Sequence, residues 1–342
     1  MLKTIGALAK QYDVRALLPW PVAASMGLLP AYPRLLVRLL VVHPLIIWHL
    51  IWHRPRLIHL FMPELLPIAL LFRLLGGQVV YEVQENHRLK FDRKPRNRHP
   101  IFQTLFDQFD RLVRRYFYFV FTEDSYLTEY HSLALPCAVV HNFPEKTAGR
   151  PRSPKRDVVS ADSSTIDLCY LGLITNDRGL DTMLAVLNKL ENSRLHLFGR
   201  MADDCLDELT AFGDRVRWYG HVSQAVAFPI MRQCVAGLAL LKPVGDYPDS
   251  YPTKLFEYMA LGLPVITSNF PLYRSVLENH QCGFCVDPTD VVSLVAHITW
   301  LVEHPGEAES LGENGFESVQ VYHNWETEAN KLLELYQNID FK

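Results

Sequence analysis

A chain of 342 residues exceeds what one hydrophobic core organises, and its 49% hydrophobic content suffices for two domains of about 150 residues each. The net charge of −3 conceals an asymmetry, because residues 1–150 carry 19 Lys and Arg against 11 Asp and Glu, a balance of +8, and the remainder stands at −11. A basic first half suits an anionic surface or ligand, whereas the acidic second half excludes nucleic acid as its partner.

In chain order, residues 2–11 read as a helix and 14–18 as a strand, whereas a doubly wound domain normally begins with a strand and a glycine-rich turn. That order points to a start site placed too far downstream, since a natural truncation would leave an empty sheet position and unpaired backbone groups. The most apolar region is 35–72. Its charge-free part, 39–53, contains Trp48 and Trp52 but is 15 residues long and is interrupted by His43, Pro44 and His49. It falls short of the ~20 residues that cross a bilayer. Two readings stand: a buried helix, or an interfacial helix whose flanking Arg34, Arg38, Arg54 and Arg56 meet anionic headgroups.

Strand-like β-branched or aromatic runs follow at 57–61, 79–83, 117–121 and 138–141. After the second of these, Arg88, Lys90, Arg93, Lys94, Arg96 and Arg98 face Asp92 alone. With Pro95 and Asn97 nearby, this stretch reads as a solvated loop or as a surface for a lipid-linked pyrophosphate or a membrane. Residues 145–165, rich in Lys, Arg, Pro, Ser and Asp and without apolar periodicity, form the linker. Six further strand candidates lie at 167–171, 195–198, 216–219, 237–241, 264–267 and 284–286. Strands alternating with helix-period segments define parallel sheets covered by helices on both faces. The last segment, 325–336, keeps Leu332, Leu333 and Tyr336 at helical spacing. No secretory signal is present, so the six cysteines read as reduced, buried thiols of a cytoplasmic protein. Cys282 and Cys285 form a C-x-x-C without a second pair or a suitably spaced His, and no metal site is expected there.

The run DYPDSYPTKLFEYMALGLPVIT at 246–267 carries the most chemistry. Ser250 suits a helix cap, Pro252 its first turn, Gly262 its exit, and Pro264 stops it before the next strand. The free amides and positive dipole end of such a helix attract anions, Lys254 adds a full charge, and a diphosphate is the natural guest. Leu255 and Met259 would face the sheet. Glu257 lies on another face, where a carboxylate can accept both hydroxyls of a ribose diol. Without further context the same run is also a well-capped helix with a surface Glu.

This run resembles the donor-binding motif of glycosyltransferase family 4. The resemblance continues through YLGLITNDRG at 170–179, LHLFGR at 195–200, CGFCVDP at 282–288, GENG at 312–315 and YHNWE at 322–326. It is looser at LIHLFMPELL (57–66) and VVYEVQE (79–85). It implies an α/β protein of the GT-B fold, two Rossmann-like doubly wound domains facing a cleft, the first with or without its first strand. Residues 1–145 would be an acceptor domain, 146–165 the linker, 166–322 the nucleotide-sugar domain and 323–342 a terminal helix packing back toward the first domain.

The resemblance also implies roles. Glu257 would hold the ribose hydroxyls, and Asp249 stands where a Glu contacts the sugar, one methylene shorter. Thr253 and Lys254, with Gly172 and Arg178 in the turn after a strand, would surround the diphosphate. Pro252 replaces a frequent Gly and offers no amide, and Leu173 replaces a basic residue for which Arg200 stands as compensation. Gln84 occupies the place of the family's His, so it can hydrogen-bond an acceptor but not titrate near neutrality, and Glu85 is a second acceptor-side candidate. The implied reaction is metal-independent and needs no cofactor. A sugar passes with retention from a nucleotide-sugar to a glycan or lipid-linked acceptor in surface polysaccharide or lipopolysaccharide synthesis, peripherally on the inner membrane face. The helix N-terminus, Lys254 and Arg178 would stabilise charge on the leaving phosphate. No D-x-D occurs in the sequence. The departures at Gln84 and Leu173 leave a non-catalytic nucleotide-sugar-binding or partner-binding module as the alternative.

Overall fold

The computed structural model describes residues 1–16, 43–85, 100–146, 165–202 and 205–340. Arg34, Arg38, the basic loop and most of the linker lie outside the described residues. The chain divides into two compact units, Met1–His141 with Glu328–Lys342, and Asn142–Thr327.

In the first unit the chain forms α1 (Leu2–Leu8), α2 (His43–His53), β1 (Leu57–Leu60), α3 (Leu66–Leu74), β2 (Gln78–Val83), α4 (Pro100–Tyr116), β3 (Tyr118–Phe121), α5 (Ser125–Glu129) and β4 (Cys137–Val139). The strands make one parallel sheet in the order β1–β2–β3–β4. Every residue of β2 and β3 is buried, which explains why these segments read as near-continuous apolar runs. Phe117, Phe119, Phe121, Tyr81, Tyr126 and Tyr130 fill the core, each contributing on the order of 2 kcal/mol by burial. Glu82, the charged residue of β2, is buried with them.

Two expectations need correction here. The strand expected at 14–18 does not form in its described part, 14–16. Gln11 and Tyr12 turn back onto the Leu8 carbonyl, and the Tyr12 ring packs 5.6 Å from that of Tyr336, so the chain leaves α1 without pairing. Nor is α2 a buried helix, since none of its residues is buried. It is apolar around its circumference, with Trp48 and Trp52 stacked at 5.8 Å on its exposed side.

The second unit contains β5 (Ile166–Leu171), α6 (Leu180–Lys189), β6 (Ser193–Phe198), α7 (Leu206–Thr210), β7 (Val216–Trp218), α8 (Gln224–Met231), β8 (Ala236–Ala239), α9 (Thr253–Ala260), β9 (Val265–Ser268), α10 (Pro271–His280), β10 (Gly283–Val286), α11 (Val291–Glu303) and α12 (Pro305–Val321). The last helix, α13 (Trp325–Gln337), starts in this unit and passes into the first at Glu328. Six parallel strands run in the order β10–β9–β8–β5–β6–β7. Alternation along each strand feeds two cores. Leu168, Tyr170, Leu195, Leu197 and Leu238 join the one beneath α6 and α11, and Cys169, Phe198, Ala239 and Val265 join the one beneath α9 and α10. All six cysteines are free thiols, and Cys137, at the start of edge strand β4, is exposed, contrary to the expectation of burial. Strand order reverses at β5, which has β6 on one side and β8 on the other. Such a switch point opens a crevice at the carboxyl ends of the strands, where doubly wound sheets bind ligands.

Candidate active site

β5 delivers Gly172 to the switch point with φ 131°, a left-handed conformation that suits glycine. At Gly199, at the end of β6, φ is 134° and any side chain would fall on the Gly172 carbonyl. Two cationic side chains close on the bare face of Gly172. A β-carbon placed there would lie 3.3 Å from Lys254 Nζ and 3.7 Å from Arg178 Nη1. Arg178 comes from the short 3-10 turn Asn176–Arg178 after β5, and Lys254 is the second residue of α9.

Both cations rest on phenols. Lys254 is only 6% exposed, and its Nζ donates to the Tyr170 hydroxyl at 2.6 Å. That hydroxyl donates onward to the Leu173 carbonyl at 2.7 Å. Arg178 Nε donates to the Tyr247 hydroxyl at 3.2 Å, with its guanidinium 5.3 Å from the centre of the Tyr247 ring. Among the described residues neither cation makes an ion pair. Burial, reinforced by the Arg178 charge, pulls the Lys254 ammonium well below its ordinary range, with Glu257 acting weakly the other way. The arrangement is an uncompensated positive site that an anion would complete.

The start of α9 differs from expectation. Ser250 does not cap it, because its hydroxyl donates to the Asp246 carbonyl at 2.8 Å. Pro252 is the N-cap instead, extended at φ −75° and ψ 116°, and no side chain caps the helix. A proline bars its predecessor from helical geometry, so the helix cannot begin earlier and Ser250 is left to close the turn Tyr247–Asp249. The first-turn amides of Thr253 and Lys254 thus sit without a side-chain cap at the positive end of the dipole. Leu255 and Met259 are fully buried, and Tyr258 ties α9 to the crevice floor by accepting from Leu171 N–H at 2.9 Å and donating to the Leu238 carbonyl at 3.1 Å. Half-buried Glu257 accepts from Gln224 Nε2 at 3.0 Å.

The structure thus gathers Gly172, Arg178, Thr253 and Lys254, with Glu257 one turn along α9. Asp249 is exposed in its turn, and Arg200 is exposed beyond Gly199, its carbonyl accepting from Ile174 N–H at 2.8 Å. Gln84 and Glu85 are exposed at the carboxyl end of β2, in the other unit. Sequence reading missed Tyr170, Tyr247 and Tyr258, since an aromatic residue in a strand or turn looks like core until its hydroxyl partner is known. It missed Gln224 because nothing in the sequence links it to Glu257. Among the described residues, no group of three or more His, Cys, Asp or Glu is arranged to hold a metal ion.

Two parallel α/β units, one with a cationic crevice at the switch point of its sheet, place the chain in the GT-B class of α/β proteins. Residues 152–318 match the family described as glycosyl transferases group 1. The phosphatidyl-myo-inositol mannosyltransferase of Mycobacterium leprae is 25% identical over 161 residues, 47% of this chain and 42% of the relative. The match therefore spans less than half of that relative's length. Among solved structures, WaaG, a glycosyltransferase involved in lipopolysaccharide biosynthesis, shares 13% identity at a TM-score of 0.66, covering 99% of this chain and 95% of its own. Sucrose-phosphate synthase from Thermosynechococcus elongatus gives 19% and 0.66, covering 86% and 76%. Anabaena HepE in complex with UDP and glucose gives 15% and 0.64, covering 84% and 79%. At these identities the likeness is one of fold.

Proposed function

We propose that the chain transfers a sugar, with retention, from a nucleotide-sugar to a hydroxyl of a glycan or lipid-linked acceptor in cell-surface polysaccharide or lipopolysaccharide synthesis. The observation that carries this reading is the convergence of Lys254 and Arg178 on Gly172 beside the uncapped amides of Thr253 and Lys254. As the bond from the anomeric carbon to the phosphate breaks, charge gathers on the leaving diphosphate. Two preorganised cations and a helix N-terminus stabilise it there without a metal. Glu257 receives the ribose diol, displacing the amide of Gln224. Asp249 and Arg200 are the flanking contacts to sugar and phosphate, and Gln84 and Glu85 meet the acceptor. The UDP and glucose held by HepE and the lipopolysaccharide role of WaaG support the donor and acceptor classes.

The first unit, on this reading, docks peripherally on the cytoplasmic face of an anionic membrane. Exposed Trp48, Ile51 and Trp52 on α2 adjoin Arg54 and Arg56, and a groove of about 800 Å³ lined by Ile47, Leu50, Ile68, Leu71 and Phe72 runs beside them. Among the described residues no helix is long and apolar enough to cross a membrane.

Titration calorimetry with UDP, GDP and ADP, followed by transfer assays with the matching radiolabelled sugar nucleotides, tests the proposal. Binding of one diphosphate in the micromolar range with sugar turnover is expected. Binding without turnover favours the non-catalytic module, and no binding of any of the three rejects the donor site.

A further inference from the structure

Glu82 is a charged residue in a central strand of a parallel sheet, 5% exposed. Burial favours its neutral form, but hydrogen bonds from His59 and Gln84 outweigh burial and hold the carboxyl below its ordinary range. One oxygen, Oε2, accepts from Thr4 Oγ1 at 3.2 Å and lies 3.2 Å from His59 Nε2. His59 Nδ1 faces the Tyr336 hydroxyl at 2.7 Å, and its ring is stacked on Phe61 at 4.7 Å. Four elements, α1, β1, β2 and α13, therefore converge to keep one carboxylate ionised inside the core. A carboxylate in such a place contributes little to stability, because its desolvation offsets the attraction of its partners. Packing alone does not explain the residue.

The other oxygen does. Oε1 accepts from Gln84 Nε2 at 2.9 Å. An ionised carboxylate offers only acceptors, so the amide of Gln84 can meet it through its NH₂ group alone. The carbonyl oxygen of Gln84 is then the end turned away from Glu82, on an exposed residue just beyond the carboxyl end of β2. We propose that Glu82 is a positioning residue that fixes the Gln84 amide so that its oxygen is a preset acceptor for a sugar hydroxyl. The site selects a ligand group that can donate a hydrogen bond, and it repels a carboxylate or phosphate at the same point. The inference rests on the reading of Gln84 as an acceptor contact.

The test uses the full chain labelled with ¹⁵N, UDP, and methyl α-D-glucopyranoside as the hydroxyl probe. In the wild type the two Gln84 side-chain N–H signals are well separated by the bond to Glu82, and in Glu82→Gln they move toward free-amide positions. With UDP bound, the glucoside shifts the Gln84 signals. Its affinity falls about tenfold in Glu82→Gln and in Gln84→Leu, the loss of one hydrogen bond, with no further loss in the double variant. Free-amide signals in the wild type, or equal glucoside affinity in wild type and Glu82→Gln, overturn the positioning role. Glucoside binding that leaves Gln84 unmoved, or its absence while UDP binds, overturns the acceptor reading of Gln84 and the inference with it. Should Glu82→Gln not fold, the exposed Gln84→Leu and the wild-type spectrum decide the matter.

Discussion

Lys254 answers two opposed demands. A buried amine whose partner is the Tyr170 phenol destabilises the empty protein, and on the proposed function the same amine is the charge that a diphosphate needs. Its pKa in the folded chain lies below that of a free lysine, so the folded state binds fewer protons than the unfolded one, and on this account stability rises with pH through that interval. Lys254→Met removes the titration and the desolvation together. We expect it to stabilise the unliganded protein by on the order of 1 kcal/mol in thermal melts at neutral pH, while weakening UDP binding at least about tenfold. On the proposed function the diphosphate binds the protonated amine, so wild-type affinity should decline as pH rises above the depressed pKa, and Lys254→Arg should flatten that decline. Calorimetry over the neutral and alkaline range checks both, and a Lys254→Met protein that melts lower and binds UDP equally well would sink the assignment. The grouping of Thr253, Lys254 and Glu257 on one helix was legible in the sequence because one short run, bracketed by Pro252 and Gly262, holds them in register. Tyr170 was not, since it lies 84 residues from the amine it serves and its strand context is that of core.

At the scale of elements, α13 is fastened to the end of β4 by charge. The His141 main-chain N–H donates to Glu328 Oε2 at 2.8 Å, its imidazole lies 3.0 Å from Asp124 and 3.4 Å from Glu328, and Lys331 bonds the other oxygen of Glu328 at 2.7 Å. Burial opposes the imidazolium, but the bonds to Asp124 and Glu328 outweigh it and push His141 up to about 9. A folded pKa above the 6.5 of a free imidazole means stabilisation that is whole below 6.5 and lost as pH rises through about 9. The shift corresponds to on the order of 3 kcal/mol. His141→Gln should lower stability toward denaturant by on the order of 1–3 kcal/mol at neutral pH and remove the decline between 6.5 and 9. An unchanged pH slope in the variant would show that the pair does not fasten the helix. None of this pairing was legible, because it joins residues 187 apart and needs the fold to bring them together. The strands themselves were legible, from β-branched and aromatic runs between glycines and prolines. The misreadings at 14–16 and at Ser250 came where a local preference for strand or cap lost to a neighbour, Tyr336 in one case and Pro252 in the other.

At the scale of the whole molecule, charge asymmetry and exposed apolar surface fall on the same half of the chain. Residues 1–150 carry +8, and within them α2 and α3 expose Trp48 at 53%, Trp52 at 70% and Leu74 at 67%, with Arg54 and Arg56 alongside. Composition made the charge visible in the sequence. It could not say whether the apolar helix was inside or outside, because a helix apolar around its whole circumference satisfies either. Each basic residue near an anionic bilayer contributes about 1 kcal/mol, screened beyond about 10 Å at ordinary salt, while the tryptophans contribute by burial regardless of salt. Binding should therefore have two separable parts. In flotation experiments the protein is expected to rise with vesicles of phosphatidylglycerol and phosphatidylcholine, less with phosphatidylcholine alone, and the difference should shrink as salt is raised. Trp48→Ser with Trp52→Ser should lower flotation on both vesicles and leave the salt dependence in place, with the UDP titration reporting that the fold is intact. Equal and negligible flotation on both vesicles would remove the membrane from the account, and a loss confined to the anionic vesicles would assign the tryptophans no part in it.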